Sequence, residues 1–188
     1  MSRRGVNPKR WFYELRSELQ KRPEVLAGAA SEQWLNAELF RVVARGLGNR
    51  LTAAPEVGKS DVVIAALGDD GADWDNPAAI IEVKLVYRSY SEAKIRTYIR
   101  RLIEQMREAR KRTPQSYGFL YAVYNVWEDR STALTFADFR KRVLAILRDE
   151  AKGVQLARRT LETFIDECPQ KIGGMTVSLG VAAQYLFV

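Results

Sequence analysis

The sequence has no histidine and only one cysteine, and these two absences remove many common catalytic and metal-binding chemistries. Without histidine there is no Ser-His-Asp triad, no Cys-His pair and no His-ligated zinc hydrolase. The single Cys168 excludes an internal disulfide and a cysteine-rich zinc site. Acid-base or metal chemistry must therefore come from Asp, Glu, Lys and Tyr.

Long apolar runs are missing as well. No segment reaches ~18 uninterrupted apolar residues, and we therefore expect no transmembrane helix. The basic start of the chain, residues 1–10, lacks the apolar region of a secretory signal. These two absences predict a cytoplasmic protein with no membrane partner.

The remaining composition is that of a globular protein. The chain has 188 residues, 47% of them hydrophobic and 28% charged, with no repeat or long linker. We therefore expect a single domain over residues 1–188. Its 30 Lys and Arg against 23 Asp and Glu give a net charge of +7, which favours an anionic partner such as nucleic acid.

Hydrophobic periodicity and end signals predict an α/β domain with a mixed central β-sheet flanked by helices. Two N-terminal helices within residues 1–48 begin at Asn7-Pro8 and at Ser31, and the C-terminal region 127–188 is expected to hold further helices and a strand. The expected elements after the first two helices are an antiparallel hairpin of strands 61–67 and 79–87, a helix opened by a capping box at Ser89–Glu92, a strand over 117–126, helices near 136–151 and 154–167, and a strand from Met175.

The tripeptide Glu82-Val83-Lys84 lies inside an apolar strand. Residues two apart in a strand project from the same face, so Glu82 and Lys84 lie together. Composition alone predicts about one acid-x-Lys triplet and the chain holds three, so the triplet itself carries no weight. The other two fall on expected helices. A carboxylate and an ammonium in a buried strand cost stability unless they are paired or used.

Two further carboxylates are candidates for the same site. If the hairpin centres between Ala72 and Asp73, Asp61 lies across from Lys84 with Glu82 as its diagonal neighbour. A one-residue slip would move Asp61 to the other face. Glu38 lies on the apolar side of the second helix, where it either aims at this site or pairs with a neighbouring Arg41 or Arg45.

Clustered carboxylates repel each other unless a cation lies between them. Oxygen ligands without His or Cys suit Mg²⁺, with Mn²⁺ as a substitute. Such a metal lowers the pKa of a bound water and neutralises charge on a phosphodiester. Lys84 could then orient the water or stabilise developing negative charge. The residues therefore suit phosphodiester hydrolysis without histidine.

At this point Glu38, Asp61 and Glu82-Val83-Lys84 on helix–strand–strand–helix resemble the PD-(D/E)XK nuclease superfamily. The resemblance covers about residues 31–126 as the catalytic core, and it implies a restriction-endonuclease-like fold with Mg²⁺-dependent cleavage of nucleic acid. By analogy, Asp61 and Glu82 bind metal, the Val83 carbonyl adds a ligand, Lys84 assists the water, and Glu38 supports a metal. Ser60 replaces the proline that precedes the aspartate in the motif.

The helix over 94–112 carries eight basic and two acidic residues and follows the site closely. It either tracks a phosphate backbone or forms a solvated face with internal ion pairs. The residues predicted to contact nucleic acid are Lys59, Lys94, Arg96, Arg100 and Arg101. Gln105, on the same helix, either supports the site as in some superfamily members or is a surface amide.

The function expected from this reasoning is a metal-dependent nuclease, with DNA favoured over RNA and endonuclease over exonuclease action. The resemblance suggests a role in defence against foreign DNA or in repair, as a homodimer or within a larger protein assembly. The alternative from another class is a catalytically silent nucleic-acid-binding or scaffold subunit with the same fold.

Overall fold

The computed structural model describes residues 5–27, 31–57, 60–128 and 133–188, and for Val57 the backbone only. Four helices and eight strands account for most of these residues. The helices are α1 (Pro8–Lys21), α2 (Ser31–Gly46), α3 (Glu92–Arg112) and α4 (Phe136–Glu150), and a 3-10 turn covers Pro23–Ala27. The strands are β1 (Leu51–Val57), β2 (Ser60–Gly68), β3 (Gly71–Ala72), β4 (Ala79–Tyr87), β5 (Ser116–Trp127), β6 (Gln155–Leu156), β7 (Glu162–Ile172) and β8 (Met175–Phe187).

Polar side chains cap the starts of three helices. Asn7 Oδ1 accepts from the Arg10 backbone N–H at 3.0 Å, and Pro8 takes the first position of α1 as predicted. Thr135 caps α4 in the same way. Ser91 caps α3 by accepting from the Lys94 N–H, whereas the sequence suggested that the capping box begins two residues earlier, at Ser89. The cap lies later because Ser89 remains within the turn that follows β4.

The strands form one curled, mixed sheet flanked by helices, and the predicted α/β class is confirmed. The strand order is β1-β2-β4-β5-β8-β6, with β3 beside β2 and β7 beside β8. Only β4 and β5 run parallel among the pairs described, and α3 makes the crossover between them. The other strand pairs are antiparallel.

Apolar side chains fill both faces of this sheet. On one face, α1 and α2 pack against alternate residues of β2, β4 and β5, including Val62, Ile81, Val83 and Phe119. On the other face, α3 and α4 pack against residues such as Val86, Leu120 and Ala182. Because β4 is covered on both faces, a charged side chain within it is removed from bulk water.

The helix expected over 154–167 is wrong. This segment contains β6 and the start of β7, and β7 pairs antiparallel with β8. Leu161, Phe164 and Ile165 have helical spacing, but two register irregularities, one between Thr163 and Ile165, break the strand alternation. The bulged strand buries both Phe164 and Ile165 in one core, which imitates a helical pattern. The region 127–188 therefore has one described helix rather than two.

The sequence also gave no indication of β1. This strand contains Pro55 and a left-handed Glu56 with φ of 53°, both unfavourable in a central strand. It is tolerated because β1 is an edge strand that pairs with β2 alone. Among the described residues, no helix is long and apolar enough to cross a membrane.

Candidate active site

The site lies where strands β2 and β4 stop pairing. Their ladder runs from Ile64 opposite Ala79 to Val62 opposite Ile81, and Asp61 and Glu82 are the next residues. The sequence suggested that Asp61 lies across from Lys84, which is wrong by two positions. Because a strand alternates with a period of two, this shift keeps the predicted face and makes Glu82 the nearer neighbour of Asp61.

Asp61 is held by two hydrogen bonds, one to each carboxylate oxygen. The backbone N–H of Val83 donates to Oδ2 at 2.7 Å, and the Asn36 amide donates to Oδ1 at 3.0 Å. Burial raises the pKa of Asp61 above its usual value, although the Val83 N–H and the Lys84 charge partly oppose this shift. The aspartate is therefore fixed in orientation beside β4.

Glu82 is the most deeply buried charged side chain of the site, with 1% of its surface exposed. The Ser60 hydroxyl and the Asp61 backbone N–H hydrogen-bond to it, but its Oε2 atom has no hydrogen-bond partner. Burial, followed by the neighbouring Asp61 carboxylate, raises the pKa of Glu82 to about 8. Without a bound cation, Glu82 is therefore mostly protonated at neutral pH.

Lys84 supplies the positive charge of the site. Its Nζ donates to Glu32 Oε1 at 2.9 Å, and 15% of the lysine side chain is exposed. Burial alone would lower the pKa of Lys84, but the carboxylates of Asp61 and Glu32 outweigh burial and raise it. The raised pKa favours the positively charged form of Lys84, which suits electrostatic stabilisation better than general-base chemistry.

Glu38 is not brought to this cluster, which corrects its expected place in the site. Its carboxylate accepts from Arg41 Nε at 2.8 Å, and Arg41 also lies 3.3 Å from Glu18 of α1. The alternative of local pairing with Arg41 is the one observed. The physical reason is the helical turn, since Glu38 lies about 200° around α2 from Asn36, at 100° per residue.

Glu32 and Asn36 take the place expected for Glu38, and sequence reasoning missed both. They are four residues apart and therefore lie on one face of α2. A signal was present: Asn36 has helical spacing with Leu39 and Val43 and is buried with them, and a polar residue on a core-facing side requires a partner. That partner is Asp61.

The donor atoms suit a small, hard cation. Asp61 and Glu82 follow the last pair of the β2–β4 ladder, and the charge of Asp61 acts on Glu82. Two buried oxygens of this site, Glu82 Oε2 and Asn36 Oδ1, have no hydrogen-bond partner. Across residues 5–27, 31–57, 60–128 and 133–188, no group of three or more His, Cys, Asp or Glu side chains is arranged to hold a metal. Two carboxylates fit Mg²⁺, which keeps several of its waters and takes few protein ligands.

Two other predicted site residues are Val83, which follows Glu82 in β4, and Gln105 of α3. Val83 buries its side chain in the core, and its N–H, as described above, holds Asp61. Gln105 lies on α3 with a buried Oε1 atom that has no hydrogen-bond partner. Its neighbour Met106 packs where a Cβ of Gly118 would stand, and Gly118 pairs with Glu82 across β4 and β5. Helix α3 therefore covers the face of the sheet on which Glu82 lies.

The predicted nucleic-acid contacts of α3 separate into two kinds. Arg96 and Arg100 bind the Glu150 carboxylate of α4 at 2.8 and 3.0 Å, which ties the two helices together. Lys94 and Arg101 are exposed, and the Lys94 ammonium lies over an aromatic ring. Lys59 lies outside the described residues.

Comparisons of the chain with protein-family models, with curated proteins and with solved structures gave no match. The superfamily resemblance is therefore carried by the residues and their arrangement alone, and it stays a prediction.

Proposed function

We propose that this chain is a Mg²⁺-dependent nuclease of the PD-(D/E)XK type with a restriction-endonuclease-like core, and that it cleaves DNA phosphodiester bonds internally. The supporting observation is the junction of β2 and β4. There a fixed aspartate, a buried glutamate with one unpartnered oxygen and a cationic lysine meet within one hairpin. Such an arrangement of costly buried charges is typical of a functional site.

Asp61 and Glu82 would hold the metal, with the Val83 carbonyl as a further ligand. Bound Mg²⁺ would supply a water of lowered pKa and neutralise charge on the phosphodiester. The protein itself fixes the donors. The Val83 N–H and the Asn36 amide hold Asp61 in one orientation, so little reorganisation is needed when the cation arrives.

Lys84 places its positive charge next to this pair of carboxylates. Because its pKa is raised, it remains protonated and stabilises negative charge that develops on the phosphate. Glu32 holds the lysine at one end and is itself 41% exposed, so the pair lies at the solvent boundary of the site. A phosphate that approaches from solvent meets Lys84 there.

A cleavage assay tests this proposal. The full chain is incubated with supercoiled plasmid, linear duplex, single-stranded DNA and RNA, in Mg²⁺, Mn²⁺ or EDTA. We expect cutting of DNA that requires metal and that is lost in Asp61→Asn and in Lys84→Ala, with thermal melts showing that both variants fold. Cutting that persists in EDTA or in Asp61→Asn would contradict it.

The silent-subunit alternative makes a different prediction about metal. If wild-type protein cuts none of the substrates, Mn²⁺ binding by calorimetry decides between the two. Binding to wild type and not to Asp61→Asn indicates a working metal site that needs a further partner. No binding to either indicates a protein that retains the fold without the chemistry.

A further inference from the structure

Three tyrosines and a lysine form a cluster that the proposed chemistry does not use. The rings of Tyr87 and Tyr90 lie 5.4 Å apart, and those of Tyr90 and Tyr98 lie 5.3 Å apart. The ammonium of Lys94 is 3.7 Å from the centre of the Tyr90 ring and 5.9 Å from that of Tyr98. We call these four residues the tyrosine cluster.

The tyrosine cluster adjoins the candidate active site. Tyr87 ends β4 three residues after Lys84, and its side chain is hydrogen-bonded to Ser31 at the start of α2. The next residue, Glu32, is the ion-pair partner of Lys84. The negative charge of Glu32 also acts on both Tyr87 and Tyr90, which places the cluster beside the Lys84–Glu32 pair.

The rings are only partly covered. All three tyrosines are half-buried: Tyr87 packs against the core under α1 and α2, whereas Tyr90 and Tyr98 pack against the core under α3. Each of these tyrosines thus keeps part of its surface accessible, between the end of β4 and the first turns of α3, and Lys94 beside them is exposed. A row of partly exposed aromatic rings with an adjacent cation is the surface that proteins use to stack bases and hold the neighbouring phosphate.

A surface that stacks bases on tyrosine rings would distinguish paired from unpaired bases. In a duplex the flat faces of the bases are stacked on one another, so a tyrosine ring can stack only on a base that is unpaired or at a strand end. Lys94, by contrast, contributes charge attraction to either kind of strand.

We propose that the tyrosine cluster binds unpaired bases of a nucleic-acid strand and presents the adjoining phosphate to Lys84, so that the substrate is single-stranded or locally unpaired. This inference rests on the proposed nuclease function and specifies its substrate class. It assigns Tyr90 and Tyr98 to base stacking and Lys94 to the phosphate beside the stacked base.

Binding without metal tests the inference separately from cleavage. Fluorescence anisotropy measures the affinity of the full chain for a labelled single-stranded oligonucleotide and for a blunt hairpin duplex of the same composition. We expect wild type to prefer the single strand, and Tyr90→Leu to weaken single-strand binding by about tenfold with little change for the duplex. Tyr90→Phe retains the ring and should stay within about twofold of wild type.

Matched variants separate stacking from charge. Lys94→Ala should weaken binding of both the single strand and the duplex. It should also reduce the salt dependence of the binding constant by about one phosphate contact. Lys141 is an exposed lysine of α4 that pairs with Asp138. Lys141→Ala removes a positive charge away from the tyrosine cluster and should leave the preference for single strands unchanged. If thermal melts show that Tyr90→Leu does not fold, the half-buried Tyr98 of α3 is changed instead, and Tyr98→Leu should give the same loss.

Equal binding of the single strand by wild type and the leucine variants would overturn the inference, and so would a wild-type preference for the duplex. If Tyr90→Leu cleaves single strands with metal at the wild-type rate, the proposed role of the tyrosine cluster is wrong. The nuclease proposal is unaffected by that result. Loss of cleavage in Asp61→Asn with intact single-strand binding supports both.

Discussion

Two glutamates of this protein each lie among charged side chains, but their pKa values are shifted in opposite directions. At the junction of β2 and β4, Glu82 lies beside Asp61 and Lys84, and burial raises the pKa of Glu82 to about 8. Between α3 and α4, hydrogen bonds from Arg100 and Arg96 lower the pKa of Glu150 to about 2. At pH 7 without a cation the first carboxyl group is mostly neutral, and the second is ionised.

The opposite pKa shifts have two causes: how far each carboxylate is exposed to solvent, and the charge of its hydrogen-bond partners. Glu150 accepts from two permanently cationic guanidinium groups near the surface, so its charge is balanced by the protein itself. Glu82 is almost fully buried, its Oε2 atom has no hydrogen-bond partner, and the Asp61 carboxylate lies beside it. The Glu150 ion pairs are therefore balanced by protein charges alone, whereas Glu82 must either keep a proton or gain a cation to avoid an unbalanced buried charge.

The largest expected effect separates the two glutamates by activity. Glu82→Gln keeps the shape of the side chain but removes a proposed metal ligand, and we expect it to lower the proposed Mg²⁺-dependent cleavage by on the order of 100-fold or more. The ion pairs of Glu150 with Arg96 and Arg100 form a clamp between α3 and α4, which we call the helix clamp. Glu150→Gln, the matched change in this clamp, should leave cleavage within about twofold of wild type. Initial rates on the preferred substrate measure both; equal losses in the two variants would remove the distinction.

A second comparison uses two glutamates of α2. Glu32→Gln removes the charge that holds Lys84, and we expect a loss of cleavage of about tenfold, as is usual for groups that orient catalytic residues. Glu38→Gln changes only the pairing with Arg41 and should have little effect on the rate. A larger loss of cleavage in Glu38→Gln than in Glu32→Gln would show that Glu38 belongs to the active site, as the sequence suggested.

The third prediction concerns the pH dependence of stability. Glu82 releases its proton near pH 4.5 in the unfolded chain but near pH 8 in the folded protein. The folded state therefore binds more protons across this range, and the free energy of unfolding of the metal-free protein falls as the pH rises through it. Each pKa unit of difference corresponds to about 1.4 kcal/mol at most.

Denaturant unfolding at several pH values measures this effect. Glu82→Gln should flatten the decline between pH 5 and pH 8, because glutamine carries no proton to lose. Glu150 has the opposite sign: its pKa is lowered, so the stability that it contributes is lost as the pH falls from about 4.5 to about 2. A Glu82→Gln curve parallel to that of wild type would show that the Glu82 pKa is not raised.

The smallest effect is expected in the helix clamp. Arg100→Ala leaves Arg96 bound to Glu150, and exposed ion pairs contribute little to stability, so Tm should fall by no more than about 2 °C. Differential scanning calorimetry at low and high salt checks this expectation. A drop of ten degrees would mean that the clamp, and not the core beneath it, holds α4 in place.

Much of the fold followed from local patterns. The bounds expected for the strand at 79–87 are those of β4, and helix α2 begins at Ser31 as predicted. These elements have clear periodicity and clear end signals. The prediction for the C-terminal segment was wrong because bulges in β7 give this strand the apolar spacing of a helix. Strand β1 was not predicted because it contains a proline, which is tolerated at a sheet edge.

The sequence by itself limited the ionisable groups of the candidate site, because without histidine the candidates were Asp, Glu, Lys and Tyr side chains, and the apolar strand around Glu82 and Lys84 singled out two of them. Only the tertiary structure decided which of them meet. The β2–β4 register places Asp61 next to Glu82, just beyond the last pair of the ladder. The rotation of α2 about its axis turns Glu32 and Asn36, and not Glu38, toward Lys84 and Asp61. Register and helix rotation are fixed by packing between elements distant in sequence, and local patterns do not record them.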